Sequence, residues 1–168
     1  MRPTWAEVSL SRLRENFRHI RARVGRDVAV MAVVKADAYG HGAPAVARAL
    51  AEEAAAGAAE PWFGVASTEE AIELRRTGIT KPIFLLNGFW KGEEEALAEH
   101  ALVPALHDPA QLDLLEGRGL PFHLKVDTGM GRLGVAEREL EQVVARIAGL
   151  RPGSEMMQGL CTQLASAD

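Results

Sequence analysis

The chain has 168 residues, 48% of them hydrophobic and 25% charged, with a formal net charge of −4, the balance of a globular protein and not of a disordered or fibrous one. Basic and acidic residues are interspersed along its whole length, so no basic stripe exists to track a nucleic-acid backbone, and the single cysteine, Cys161, excludes an internal disulfide. The opening residues lack an export signal and no apolar run approaches the roughly 20 residues of a membrane span, so a cytoplasmic protein without membrane or nucleic-acid partners is expected.

Leu10, Leu13, Phe17, Ile20 and Val24 recur at three- and four-residue steps and predict an amphipathic helix over Ser9 to Val24, with Ser9 as its N-cap. Val28 to Val34 is a continuous β-branched apolar run, the pattern of a strand buried on both faces of a parallel sheet. Pro44 to Ala59 reads as a helix and Trp62 to Ala66 as a strand. Ser67 to Arg76 is a helix opened by a Ser67/Glu70 capping box and stopped by Gly78. Ile83 to Leu86 is a strand, Glu93 to His100 a helix and Leu102 to Leu106 a strand. Asp108 and Pro109 open a helix that ends at Gly117. Phe122 to Val126 is the fifth strand, Leu140, Val143, Val144 and Ile147 mark a helix, and Met156 to Leu164 supplies a sixth strand.

Six β/α units in a row argue for an α/β fold, a parallel sheet wrapped by helices. Alternation alone leaves open whether the sheet closes into a barrel or is doubly wound. A full eight-unit barrel takes about 250 residues, so in the first case this chain holds an incomplete one.

Lys35 follows the first apolar strand, at the sheet end where parallel β/α folds place their sites. Desolvation disfavours an ammonium there and suits a Schiff-base nucleophile; a lysine simply reaching solvent is the plainer reading of the position. The second candidate is Lys125 to Gly134, after the fifth strand. Its glycines 129, 131 and 134 spell G-x-G-x-x-G before a helix, with Glu155 at about the distance of a ribose-binding acid, which would suit a nicotinamide dinucleotide. The motif normally belongs to the first β/α turn of its domain, and glycines also serve plain tight turns. Arg132, held within that turn, is placed to bind an oxyanion. The histidines at 19, 41, 100, 107 and 123 have no ligand spacing, so no metal is expected, and Cys161 reads as a small hydrophobe.

Two strings carry a resemblance. Ala32-Val-Val-Lys-Ala-Asp-Ala-Tyr-Gly-His-Gly42 resembles the cofactor-binding segment of alanine racemases, and Leu124-Lys-Val-Asp-Thr-Gly-Met-Gly-Arg-Leu-Gly134 resembles a second signature of that family. Arg2-Pro-Thr-Trp-Ala-Glu-Val8 is similar to the family's start, and the likeness runs from end to end of the chain.

The resemblance implies a (β/α)8 TIM-type barrel carrying pyridoxal 5'-phosphate, followed by a C-terminal β domain, in a homodimer. Residues 1–168 would then be the N-terminal part of the barrel, without the β domain. It implies an isomerase that interconverts L-alanine and D-alanine, a peptidoglycan precursor, through a pyridoxal phosphate aldimine. Lys35 would form that aldimine and act as base on one face of Cα. Tyr39 would bond the cofactor phosphate, and Arg132 the phenolic oxygen and the substrate carboxylate region. Lys125 matches a lysine that is carbamylated in some members.

The opposite-face base, a tyrosine of the second subunit, and the arginine on the pyridine nitrogen lie in family regions outside these residues. The chain alone is therefore expected not to racemise alanine at an enzyme-like rate. Gln163 stands where the family usually has a histidine packed on the cofactor ring. Two other readings stand beside this one: a pyridoxal phosphate carrier on a related single-domain barrel, and an inactive remnant that self-associates through exposed edges.

Overall fold

The computed structural model describes residues 4–53, 59–150 and 154–166. Its strands are β1 (Met31–Val33), β2 (Trp62–Val65), β3 (Ile83–Leu85), β4 (Leu102–Leu106), β5 (Phe122–Asp127), β6 (Val135–Ala136) and β7 (Met157–Cys161). Every pairing is parallel, and β1 to β6 lie side by side in chain order. A doubly wound sheet reverses its strand order at a switch point. Here the order never reverses, so the winding is single, as in a β/α barrel. β5 is shared at its outer side: its first four residues pair with β7 and its last two with the short β6.

The helices are α1 (Leu10–Val24), α2 (Lys35–Gly40), α3 (Ala43–Ala51), α4 (Thr68–Arg76), α5 (Glu94–Glu99), α6 (Gln111–Leu115) and α7 (Leu140–Gly149). Strand side chains alternate between faces, and this divides the core in two. Phe63, Ile83, Leu85, Leu102, Phe122 and Leu124 sit in the larger core with the helices. Phe84, Val103 and Ala105 form a second cluster on the other face with Met31, Trp62, Leu86 and Cys161 packed on it. Phe63 and Phe122 are fully buried, each contributing about 2 kcal/mol from lost apolar surface.

Several boundaries differ from the sequence expectation for identifiable reasons. The strand expected over 28–34 is paired only at Met31–Val33. Among the described residues β1 pairs with β2 alone, and Val28 and Val33 are 49% and 39% exposed, so this strand is not buried on both faces. The alanine-rich helix stops at Ala51 instead of Ala59; residues 54–58 of that expectation lie outside the described residues. Arg21 of α1 binds the Glu53 carbonyl at 2.6 Å and the Ala59 carbonyl at 3.1 Å, and Arg18 grips the Glu53 carboxylate through two bonds. These contacts tie Glu53 and Ala59 to α1.

α6 begins at Gln111, because Asp108 and Pro109 form tight turns first: the Asp108 carboxylate accepts from Ala110 N–H at 2.8 Å, and the Asp108 carbonyl from Gln111 N–H. The last strand is Met157–Cys161, shorter at both ends than expected, and β6 has no counterpart in the sequence reading. Arg75 of α4 fastens the helix layer by donating to four backbone carbonyls, those of His100, Ile79, Lys81 and Ala101.

Candidate functional site

Alternation along β5 leaves Phe122, Leu124 and Val126 buried and puts His123, Lys125 and Asp127 on the opposite face. At the C-terminal ends of the strands this face opens into a cavity of about 460 Å³. Met31, Val33, Phe84 and Leu86 give it apolar walls, while Lys35, Tyr39, Asn87, Lys125, Arg132 and Gln163 supply polar groups. The four residues singled out in the sequence, Lys35, Tyr39, Lys125 and Arg132, thus line one cavity, together with Gln163.

Lys35 and Tyr39 reach it through an unusual backbone. Ala36, Asp37, Ala38 and Tyr39 all have φ between 50 and 56 degrees, forming a left-handed turn. Left-handed geometry costs an L-residue roughly 1–2 kcal/mol, so the turn must be held from outside. Ala36 N–H donates to Glu70 Oε1 at 2.8 Å, and Ala43 N–H donates to Asp37 Oδ1 at 2.7 Å. Ala38 N–H donates to the Val34 carbonyl at 2.8 Å, and Gly42 N–H to that of Asp37 at 3.0 Å. Glu70 was expected in a capping box that returns its carboxylate to Ser67. Only half of that box forms: Ser67 Oγ accepts from Glu70 N–H at 3.4 Å, but the carboxylate takes Ala36 N–H and Ala66 N–H instead.

Arg132 is carried by the turn after β5. Asp127 Oδ1 accepts from Gly129 N–H and Gly131 N–H, both at 3.0 Å. These donors, Gly131 first and Gly129 second, hold the Asp127 carboxyl below its ordinary pKa. A Cβ at position 134 would lie 2.4 Å from the Asp127 nitrogen, and φ there is 138 degrees, so only glycine closes the turn. The turn is tied to the end of β7: Thr162 Oγ1 donates to the Val126 carbonyl and sits 2.8 Å from the Thr128 hydroxyl. Arg132 Nη2 donates to Gln163 Oε1 at 2.6 Å.

The turn does not have a dinucleotide-binding arrangement. That motif needs a helix N-terminus directly after its glycines, whereas β6 follows Gly134 here and α7 begins only at Leu140. Glu155 precedes β7 and so lies at the opposite end of the parallel sheet from the glycine turn, away from any ribose held there.

Below the polar rim, the His123 ring sits between Trp62 and Phe84, with centroids at 5.6 and 4.9 Å. Burial pushes its imidazole below the ordinary pKa and favours the neutral ring. His107 is shifted down mainly by burial and then by the Lys125 charge, against the opposing pull of Asp108. Burial pushes the Cys161 thiol up, with Lys125 opposing, which keeps the sulfur protonated and poorly nucleophilic. The His123 clamp follows from period-two alternation and was open to sequence reasoning; nothing in the sequence marks Asn87. Among the described residues no three of His, Cys, Asp and Glu are grouped to hold a metal ion, and no helix is long and apolar enough to cross a membrane.

The cavity therefore offers an amine that can condense with a carbonyl, a phenol hydroxyl, and a guanidinium for an oxyanion. Comparisons with known proteins give the same direction. The family model described as "Alanine racemase, N-terminal domain" matches residues 8–168. A curated alanine racemase of Sorangium cellulosum is 46% identical over 181 residues, covering 100% of this chain and 46% of that protein. One of Symbiobacterium thermophilum is 44% identical, covering 100% and 44%.

Among solved structures, alanine racemase from Streptomyces lavendulae aligns with a TM-score of 0.84 at 33% identity, over 100% of this chain and 45% of that one. Alanine racemase from Bartonella henselae with covalently bound pyridoxal phosphate aligns with a TM-score of 0.80 at 27% identity, over 95% and 46%. The chain spans about half the length of the curated relatives it matches.

Proposed function

This chain belongs to the alanine racemase family, matching its N-terminal domain, and from that premise we propose that it forms the pyridoxal-phosphate-binding part of an enzyme interconverting L- and D-alanine. The observation that carries the reading is the convergence of Lys35, Tyr39 and Arg132 on one cavity. The residues present fit the group: about 460 Å³ lies within the roughly 300–1,000 Å³ of small-molecule sites. Its walls match a flat ring, and its cations match a phosphate and a phenolate.

When bound, pyridoxal phosphate supplies a conjugated electron sink that makes the Cα proton of an attached amino acid removable. The chain's own residues do the rest. Lys35 Nζ would hold the cofactor at its carbonyl carbon until an incoming amino group takes over that bond, and the amine so freed would take or return the Cα proton on one face. The Tyr39 hydroxyl donates to the phosphate. Arg132, held by Gln163, would bind the ring's phenolic oxygen and orient the substrate carboxylate. Met31, Phe84 and Leu86 would give a bound ring apolar contacts.

Lys125 is the candidate for carbamylation, which would place a carboxylate on the same wall as Arg132. His123, which burial shifts toward its neutral form, supports the cavity from below between Trp62 and Phe84. The base for the second face is assigned to the second subunit of a homodimer in the cytoplasm.

The test is to incubate the protein with pyridoxal phosphate, reduce with borohydride and map the label. Modification concentrated on the Lys35 peptide is expected; label spread evenly over surface lysines such as Lys91 would overturn the assignment.

A further inference from the structure

We propose that Glu70 is a positioning residue for Lys35, acting through the peptide that joins Lys35 to Ala36. The inference rests on the reading of Lys35 as the cofactor lysine. Glu70 lies on the first turn of α4, yet its carboxylate binds backbone outside that helix. Oε1 accepts from Ala36 N–H at 2.8 Å and Oε2 from Ala66 N–H at 2.7 Å. One side chain thus joins three pieces of chain: the start of α4, the residue after β2, and the first residue of the left-handed turn.

The consequence for Lys35 is geometric. The Lys35 carbonyl and the Ala36 N–H belong to one planar peptide unit. Anchoring the N–H fixes that plane, and with it the direction in which the Lys35 side chain leaves the backbone toward the cavity. The need is real, because Ala36 has φ 50 degrees and is followed by three more left-handed residues. A short run of this kind persists only where the surroundings over-determine it. An ionised acceptor taking two backbone donors is among the stronger local restraints available. Asp37 secures the far side of the same turn through Ala43, so the two carboxylates clamp it from both ends. Of the two carboxylates, Glu70 is the one that acts at the peptide joining Lys35 to Ala36.

The experiment compares the wild-type chain with Glu70→Ala and Glu70→Gln in two readouts. The first is amide hydrogen exchange at Ala36 and Ala66 without cofactor, against the β4 amides as internal reference. The second is the rate at which pyridoxal phosphate and borohydride label Lys35, relative to the other lysines. In Glu70→Ala, exchange at Ala36 and Ala66 should rise and selective labelling of Lys35 should fall, each by about tenfold, while the β4 amides stay protected. Glu70→Gln, isosteric but able to accept only one of the two bonds, should fall between, and it decides the matter if the alanine variant does not fold.

Lys35 labelling at the wild-type rate in these variants overturns the proposal, even if melting temperature drops, because the residue would then be merely structural. Unchanged exchange at Ala36 overturns it as well. A wild-type chain that is not labelled at Lys35 overturns the proposed function instead, and the Ala36 and Ala66 amides then decide for or against Glu70 by themselves.

Discussion

Arg132 and Gln163, one in the turn after β5 and the other beyond β7, are joined by a 2.6 Å hydrogen bond from guanidinium to amide oxygen. Both line the cavity. Gln163 accepts from Arg132 through its side-chain carbonyl. Gln163 therefore holds the guanidinium in place.

Removing that partner should weaken cofactor binding through Arg132. A hydrogen bond to a charged group at a partly solvated site is worth about 1 kcal/mol, so Gln163→Ala is expected to raise the pyridoxal phosphate dissociation constant by about fivefold in a fluorescence titration. Arg132→Ala should cost more, since the cation itself is lost. The two changes should not add: in the Arg132→Ala background, Gln163→Ala should do almost nothing. Equal effects of Gln163→Ala in both backgrounds would mean that Gln163 acts on the cofactor independently of Arg132.

A second prediction concerns the floor of the cavity. A Cβ at position 159 of β7 would sit 2.8 Å from the His123 ring, which is itself wedged between Trp62 and Phe84. Gly159→Ala should therefore destabilise the chain by about 1–3 kcal/mol, the usual range for overpacking. Shortening the ring's side chain should relieve the clash, so the double variant His123→Ala/Gly159→Ala is expected to be more stable than the sum of the single losses allows. Chemical denaturation of the four proteins measures this; strict additivity would sink the claim that ring and glycine are coupled.

The sequence carried the helix and strand order well because the periodicities are strong: α1 with its Ser9 cap and β4 appear where the apolar spacing puts them. Lys35, Lys125 and Arg132 were legible because each follows or lies within a strand whose C-terminal end must face the site. What was hidden depends on long-range contacts. The left-handed turn could not be read from Ala36 to Tyr39, since alanines disfavour that geometry and the bonds that hold it include one from Glu70, 34 residues away. The capping-box spacing at Ser67 and Glu70 was real, but the carboxylate found partners in space that the local pattern cannot encode. The G-x-G-x-x-G spacing left two readings open for a related reason. Its glycines serve the close approach of Gly134 to Asp127, and the element that follows is a strand.

The third prediction concerns acid and follows from Asp127. Its carboxylate accepts the N–H groups of Gly131 and Gly129, and these bonds set its pKa below the ordinary aspartate value. In the unfolded chain those donors are lost, so the unfolded state binds the proton at a higher pH than the native state does. The contribution to stability is thus complete above the ordinary aspartate value and is lost as pH falls through the lower native value. Asp127→Asn keeps an oxygen acceptor but removes the charge, and should lower the denaturation midpoint at neutral pH. In acid the gap between the two proteins should close, because the wild-type carboxyl is then neutral as well. Because this turn carries Arg132, the variant should also bind pyridoxal phosphate more weakly at neutral pH, with the loss disappearing in the Arg132→Ala background. Urea denaturation across the acid range, paired with the binding titration, checks both halves. A gap that stays constant with pH would show that the Asp127 charge does not hold the turn.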